Sequence, residues 1–272
     1  MSTPAGPLIN ATSIESDLTK IFEAKREVIA GNISFLQGAE EDGIRKFERA
    51  LTLDPSDYDA AYLLARLYYE IGNRSKDAER WTEARTTYVK STRVIDDFLE
   101  ENHTSLSDHF DLDSVHALAH FDLGVLHLNS NFLEEASEAF QNSTLGEVHY
   151  AEAHTNLGVI FERQGQDAEA SRQYQRALEI NPNHLTALIN FGNVSLREKR
   201  YDRAIERFFE AQKLRPDFAP IYYNLGVAYF QQGQAENASE QWERALELDP
   251  GFHRSTNRPG CCSRPNGKSV VD

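Results

Sequence analysis

Three asparagines stand 34 residues apart, at Asn156, Asn190 and Asn224, and Asp122 takes the same place one step earlier (156 − 122 = 34). A carboxamide carries a donor and an acceptor together, so one such side chain pairs with both the N–H and the C=O of a peptide unit. A row of them at one helical phase would grip the main chain of an extended ligand with little demand on its sequence. The same residues read equally as structural amides that cap or bridge neighbouring helices. Both readings follow from spacing and side-chain type.

Other groupings carry less chemistry. Five of the nine histidines (His116, His120, His127, His149 and His154) fall within one short stretch, and His116 and His120 are an i, i+4 pair that could share a metal, with Asp111 and Asp113 near. The carboxylate pairs Glu40–Glu41, Asp96–Asp97 and Glu134–Glu135 fall at turns or on exposed helix faces, where charge runs are usually solvated. No G-x-S-x-G, P-loop or G-x-G-x-x-G occurs, and no nucleophile has a base at readable spacing. Two adjacent cysteines, Cys261 and Cys262, are too few for a disulfide framework or a four-ligand zinc site.

The elements that position these residues repeat. Gly124, Gly158, Gly192 and Gly226 share the 34-residue step, as do Ala136, Ala170, Ala204 and Ala238. The aromatics Phe140, Tyr174, Phe208 and Trp242 keep it too, and so do Pro182, Pro216 and Pro250. Within one period, Ile221–Phe230 is apolar at helical spacing. Gly233 suits a helix C-terminus. Ala238, Trp242, Ala245 and Leu246 form the stripe of a second helix. Pro250 disfavours the α conformation in Asp249 and stops it. On this reading Gly226 and Ala238 face each other across an antiparallel pair, where small residues let the backbones approach.

The pattern Tyr222-x2-Leu225-Gly226-x2-Tyr229, then Ala238-x3-Trp242 and Pro250, closely resembles the tetratricopeptide repeat. His154, Leu157, Gly158, Phe161, Ala170, Tyr174, Ala177 and Pro182 resemble it nearly as well. Leu188, Phe191, Gly192, Ala204, Phe208, Ala211 and Pro216 follow, while the unit around Gly124 lacks a closing proline. Upstream, Gly31, Gly43, Phe47, Ala50, Leu53 and Pro55 fit the same frame. Ala84 falls about seven residues late relative to Ala60–Gly72, so the turn near Arg74–Arg80 is lengthened or a helix is extended.

The resemblance implies an all-α, right-handed α-solenoid, a superhelix of stacked antiparallel helix pairs whose first helices line a concave groove. It also implies a non-enzymatic scaffold for protein–protein interaction that binds an extended peptide, with no cofactor. The asparagine row is similar to the ladders of some superhelical members of the family. The peptide-binding residues it implies are Asp122, Asn156, Asn190, Asn193, Tyr223 and Asn224. The family's basic clamp for a C-terminal carboxylate lacks its lysines and arginines here, so chaperone-tail binding is not expected. His120 and His154 fall in a slot where an aromatic ring packs, so no metal is expected either. The alternative reading is the substrate-recruiting arm of a larger enzyme, such as a glycosyltransferase.

Composition bounds the partners. Among 272 residues, 28 basic and 43 acidic side chains give −15, which argues against nucleic acid and anionic membranes and favours neutral or basic partner segments. No window reaches about 18 continuous apolar residues. The start, Met1–Pro7, has neither a basic nor an apolar signal region, which suggests a cytoplasmic protein. The expected organisation is a disordered N-terminus (1–12), an N-terminal helix with two divergent units (13–98), an irregular connector (99–116), four regular units (117–252) and a disordered basic tail (253–272). Thr12-x-x-Glu15 reads as a cap for the first helix. The tail carries Arg254, Arg258, Arg264 and Lys268 against Asp272, and leaves the last repeat without a polar cap. This suggests a truncated or frame-shifted end, or self-association through the last repeat.

Overall fold

The computed structural model describes residues 11–145 and 150–251, with side chains from residue 16 onward. The readings that rest on the Thr12/Glu15 cap, His149, Cys261, Cys262 and the basic tail lie outside the described side chains. The described residues form twelve α-helices and one short 3₁₀ turn at Leu106–Asp108. No described helix is long and apolar enough to cross a membrane. The chain divides into two compact units, Met1–His149 and Tyr150–Asp272.

The first unit holds α1 (Ala11–Leu36), α2 (Glu40–Leu53), α3 (Tyr58–Asp77), α4 (Trp81–Asn102), α5 (Phe110–Asn129) and α6 (Leu133–Asn142). The second holds α7 (Ala151–Arg163), α8 (Asp167–Ile180), α9 (Leu185–Arg197), α10 (Tyr201–Leu214), α11 (Ala219–Gln231) and α12 (Ala235–Leu248). In each unit the helices pack in chain order as antiparallel pairs, and each pair stacks on the next. Within the second unit α7 touches α9, and α9 touches α11, while α8, α10 and α12 make at most marginal contact with one another. First helices that approach more closely than second helices curve the stack and put the concave face on α7, α9 and α11. This is the α-solenoid architecture of stacked helix pairs.

Each pair is set by one contact. A β-carbon placed on Gly158 would lie 2.4 Å from the Tyr174 ring, one on Gly192 2.4 Å from Phe208, and one on Gly226 2.3 Å from Trp242. Gly31, Gly72 and Gly124 meet Phe47, Tyr88 and Phe140 in the same way, at 2.5–2.7 Å. In all six the aromatic follows its glycine by 16 residues (174 − 158, for example). Beside the small residue expected to face it, such as Gly43, whose β-carbon would lie 3.3 Å from Gly31 O, each glycine therefore meets an aromatic ring. The glycine makes room for the ring, because an edge-on aromatic needs the volume that a β-carbon would fill.

The turn within each pair is also uniform. Gly38, Glu79, Asn131, Gly165, Lys199 and Gly233 all take positive φ, between 58° and 84°. The N–H after each reaches back five residues, as in Gln166 N to Phe161 O and Arg200 N to Ser195 O, both 2.8 Å. That bond closes the helix end in a Schellman motif and satisfies otherwise orphaned carbonyls. Extended backbone at Asp54, Asn181 and Asp249 ends the second helices just before Pro55, Pro182 and Pro250.

The first unit departs from the 34-residue step in a definite way. Gly31 to Gly72 spans 41 residues (34 + 7), and Gly72 to Gly124 spans 52 (34 + 18). The seven-residue offset is not a longer turn, because residues 78–80 connect α3 to α4 directly. It is two additional turns at the start of α3, since seven residues make about two turns and preserve the helix face. The segment 99–116, expected as an irregular connector, is irregular only from 103 to 109. Residues 99–102 continue α4, and 110–116 open α5. These additions share a core, in which Ala61, Ala65, Ile95, Phe98, Leu112 and Val115 are buried together. Buried apolar positions at helical spacing let both segments continue as helix where the repeat pattern alone would stop.

Candidate peptide-binding face

The second unit gathers five of the six expected site residues. Asn156 lies on α7, Asn190 and Asn193 on α9, and Tyr223 and Asn224 on α11. Asn156, Asn190, Asn193 and Tyr223 are half-buried, and Val159, Ile189 and Val227 are half-buried beside them. The face is therefore polar and apolar by turns, as an extended peptide with alternating side chains requires.

The amides do not all stand alike. Asn224 is 4% exposed, and its Nδ2 donates to Asn193 Oδ1 at 3.0 Å. That bond ties α9 to α11 and orients the Asn193 carboxamide. Asn190 bonds the Tyr174 hydroxyl, which in turn donates to the Glu162 carboxylate. Burial, then the charge of Glu162, pushes the Tyr174 phenol well above its ordinary pKa, so it stays a donor. Glu162 also accepts from Arg197 Nη2 at 2.6 Å, and Asp167 accepts from the same nitrogen at 2.8 Å. This network runs from α7 through α8 to α9. Sequence reasoning missed Glu162, Tyr174 and Arg197 as partners of the asparagine row; the 30- and 35-residue spacings to Asp167 and Glu162 were the only signal available.

Asp122 belongs to the first unit and is 8% exposed. It accepts from the Tyr69 hydroxyl at 3.1 Å and from Lys76 Nζ at 2.8 Å. Both partners lie on α3, so Asp122 ties neighbouring first helices, as Asn224 does. His154, in the aromatic slot, pairs through Nδ1 with Gln173 Oε1 at 2.8 Å. Tyr223 lends its backbone carbonyl to Trp242 Nε1 at 3.2 Å, which holds α12 against α11.

Fold and register together define a helical-repeat protein. Models of the tetratricopeptide repeat match residues 41–91, 151–184 and 219–252, and a TPR repeat model matches 192–233. The chain contains tetratricopeptide repeats. No curated protein matches it. Among solved structures it is similar to the crystal structure of YrrB, a TPR protein with an unusual peptide-binding site. The identity is 24%, over 76% of this chain and 94% of that one, with a TM-score of 0.57. It is also similar to crystal structures of MamA. One is 19% identical over 72% of this chain and 97% of that one, with a TM-score of 0.54. Another is 21% identical over 68% and 97%, with a TM-score of 0.54. At these identities the likeness is one of fold.

Proposed function

We propose that this chain is a non-enzymatic interaction scaffold that binds an extended segment of a partner protein along the face of α7, α9 and α11. The observation that carries the reading is the row of half-buried amides, Asn156, Asn190 and Asn193, among Val159, Ile189 and Val227. Such amides pair with a peptide main chain while the apolar side chains take alternate residues of the ligand. Asn224 serves from behind, by orienting Asn193, and Tyr223 adds a ring at one end of the row. Asp122 acts as a brace within its own unit. The solved fold relative with a peptide-binding site supports peptide as the ligand class, and the net charge of −15 favours neutral or basic segments. Nothing in the comparisons favours the reading as a recruiting arm of an enzyme.

A peptide selected against the full chain from a displayed random library provides the test. Its affinity is expected to fall by about tenfold or more in Asn156→Ala/Asn193→Ala, since each lost amide forfeits hydrogen bonds worth about 1 kcal/mol. Helicity is expected to stay within error, and the melting temperature to fall by only a few degrees, because Asn193→Ala removes the acceptor of the Asn224 hydrogen bond between α9 and α11. Selected peptides that bind the double variant as tightly as the parent would place the ligand elsewhere.

A further inference from the structure

Between α4 and α5 the first unit brings together three side chains that the peptide-binding face does not use. Asp96 stands on α4, and His116 and His120 stand one turn apart on α5. One ligand-capable atom from each lies within 4.8 Å of the other two. His116 Nε2 is 3.3 Å from Asp96 Oδ1, and the two imidazole rings meet edge to face with centroids 4.3 Å apart. His116 is 3% exposed. The Nδ1 atoms of His116 and His120 are both buried without a hydrogen-bond partner.

Ring packing alone does not account for this arrangement. A phenylalanine at either position would fill the same space without an orphaned nitrogen, and buried polar atoms normally find partners. Two largely buried imidazoles on one helix face, each offering a nitrogen within 4.8 Å of the other and of a carboxylate from the neighbouring helix, are a ligand set. We propose that Asp96, His116 and His120 bind a divalent transition metal, with Zn²⁺ the fitting ion, and that the metal clamps the end of α4 to the start of α5.

The chemistry fits. Imidazole nitrogen and carboxylate oxygen both suit Zn²⁺. Ligands about 2.1 Å from a tetrahedral ion stand about 3.4 Å from one another, so side-chain rotations of about 1 Å close the set. Histidines at i, i+4 present both rings to one side of a helix. Burial first, and His116 second, hold the His120 pKa down at about 4, so His120 is the neutral ligand form at neutral pH and no proton must leave. The Asp96 side chain is 58% exposed, which opens the site to an entering ion and leaves room for a water ligand. Asp96 and His116 lie where the 34-residue register is broken, and His120 one turn beyond. The sequence showed the histidine pair but not its third member, because Asp96 is 20 residues away on another helix.

The full chain bearing Cys261→Ser and Cys262→Ser, which removes the two thiols as competitors, is stripped with chelator and titrated with ZnCl₂ by calorimetry. One saturable site is expected, with a rise in melting temperature and movement of the ¹⁵N ring resonances of His116 and His120. Asp96→Asn or His120→Gln is expected to weaken binding by at least about tenfold. The asparagine variant changes an exposed residue, and the ring resonances are read on the unmutated cluster, so neither depends on altering the core. Silence at high micromolar metal, ring resonances that stay in place, or binding that survives both substitutions would overturn the proposal.

Discussion

At the scale of single residues, a missing β-carbon decides how closely each helix pair can approach. Gly192 faces Phe208, a fully buried ring on the next helix with no room to retreat. Gly192→Ala gains about 1 kcal/mol of helix propensity but overpacks a rigid contact at about 1–3 kcal/mol. The net expectation is a loss of up to about 2 kcal/mol, read from the urea midpoint. Lys199 presents the reverse case, a side chain in the left-handed region where Gly165 and Gly233 stand in neighbouring repeats. Lys199→Gly is expected to stabilise by about 0.5–1 kcal/mol, because the left-handed conformation costs an L-residue about 1–2 kcal/mol and glycine returns part of the relief as chain entropy. His120 makes stability depend on pH. Its folded pKa, about 4, lies below the ordinary imidazole value of 6.5, so the unfolded chain takes up its proton first as the pH falls. Its contribution is complete above about pH 6.5, declines below that, and is exhausted near pH 4. The loss is on the order of 2–3 kcal/mol. Chelator-treated protein melted across this window should show the loss, and His120→Phe should flatten it. The repeating glycines were legible in the sequence as a 34-residue beat. Their aromatic partners kept the same beat, yet sequence alone could not say that the ring enters the gap as well.

At the scale of elements, α3, α4 and α5 show how a repeat array absorbs added chain. Seven residues are about two helical turns, so the lengthened α3 keeps its buried face without a kink. The offset was readable from Ala84, but its location was not, because a long turn and a long helix move later residues by the same count. What decides is burial. Leu112 is fully buried, and Phe98 and Val115 nearly so, in a core to which the added turns of α3, α4 and α5 all contribute. Leu112→Ala is expected to cost about 2–5 kcal/mol. Hydrogen exchange should then rise in 58–65, 95–102 and 110–116 while amides of 185–248 stay protected, since stability in stacked repeats is local and passes between neighbours. Uniform loss of protection across the chain would show that the added turns are not a separate core.

At the scale of the whole molecule, charge sets the terms of binding. A chain at −15 attracts a lysine-bearing peptide and repels a glutamate-bearing one of equal length. The affinity gap between two such peptides is expected to narrow as salt rises and the Debye length falls toward about 3 Å at 1 M, which anisotropy titrations would follow. A gap indifferent to salt would show that contacts, not the field, choose the partner. The sequence by itself determined the all-helical class, the helix-pair repeat and its family, because these rest on residues that recur at a fixed spacing and on local rules for helices and their ends. Only the tertiary structure decided which polar side chains are already spent. Asn224 is paired to Asn193 across 31 residues, Asp122 to Lys76 across 46 and to Tyr69 across 53, and Asp96 is drawn to His116 from another helix. Those pairings depend on how one helix is set against the next and on the rotamers that packing leaves open, and no spacing along a chain specifies either.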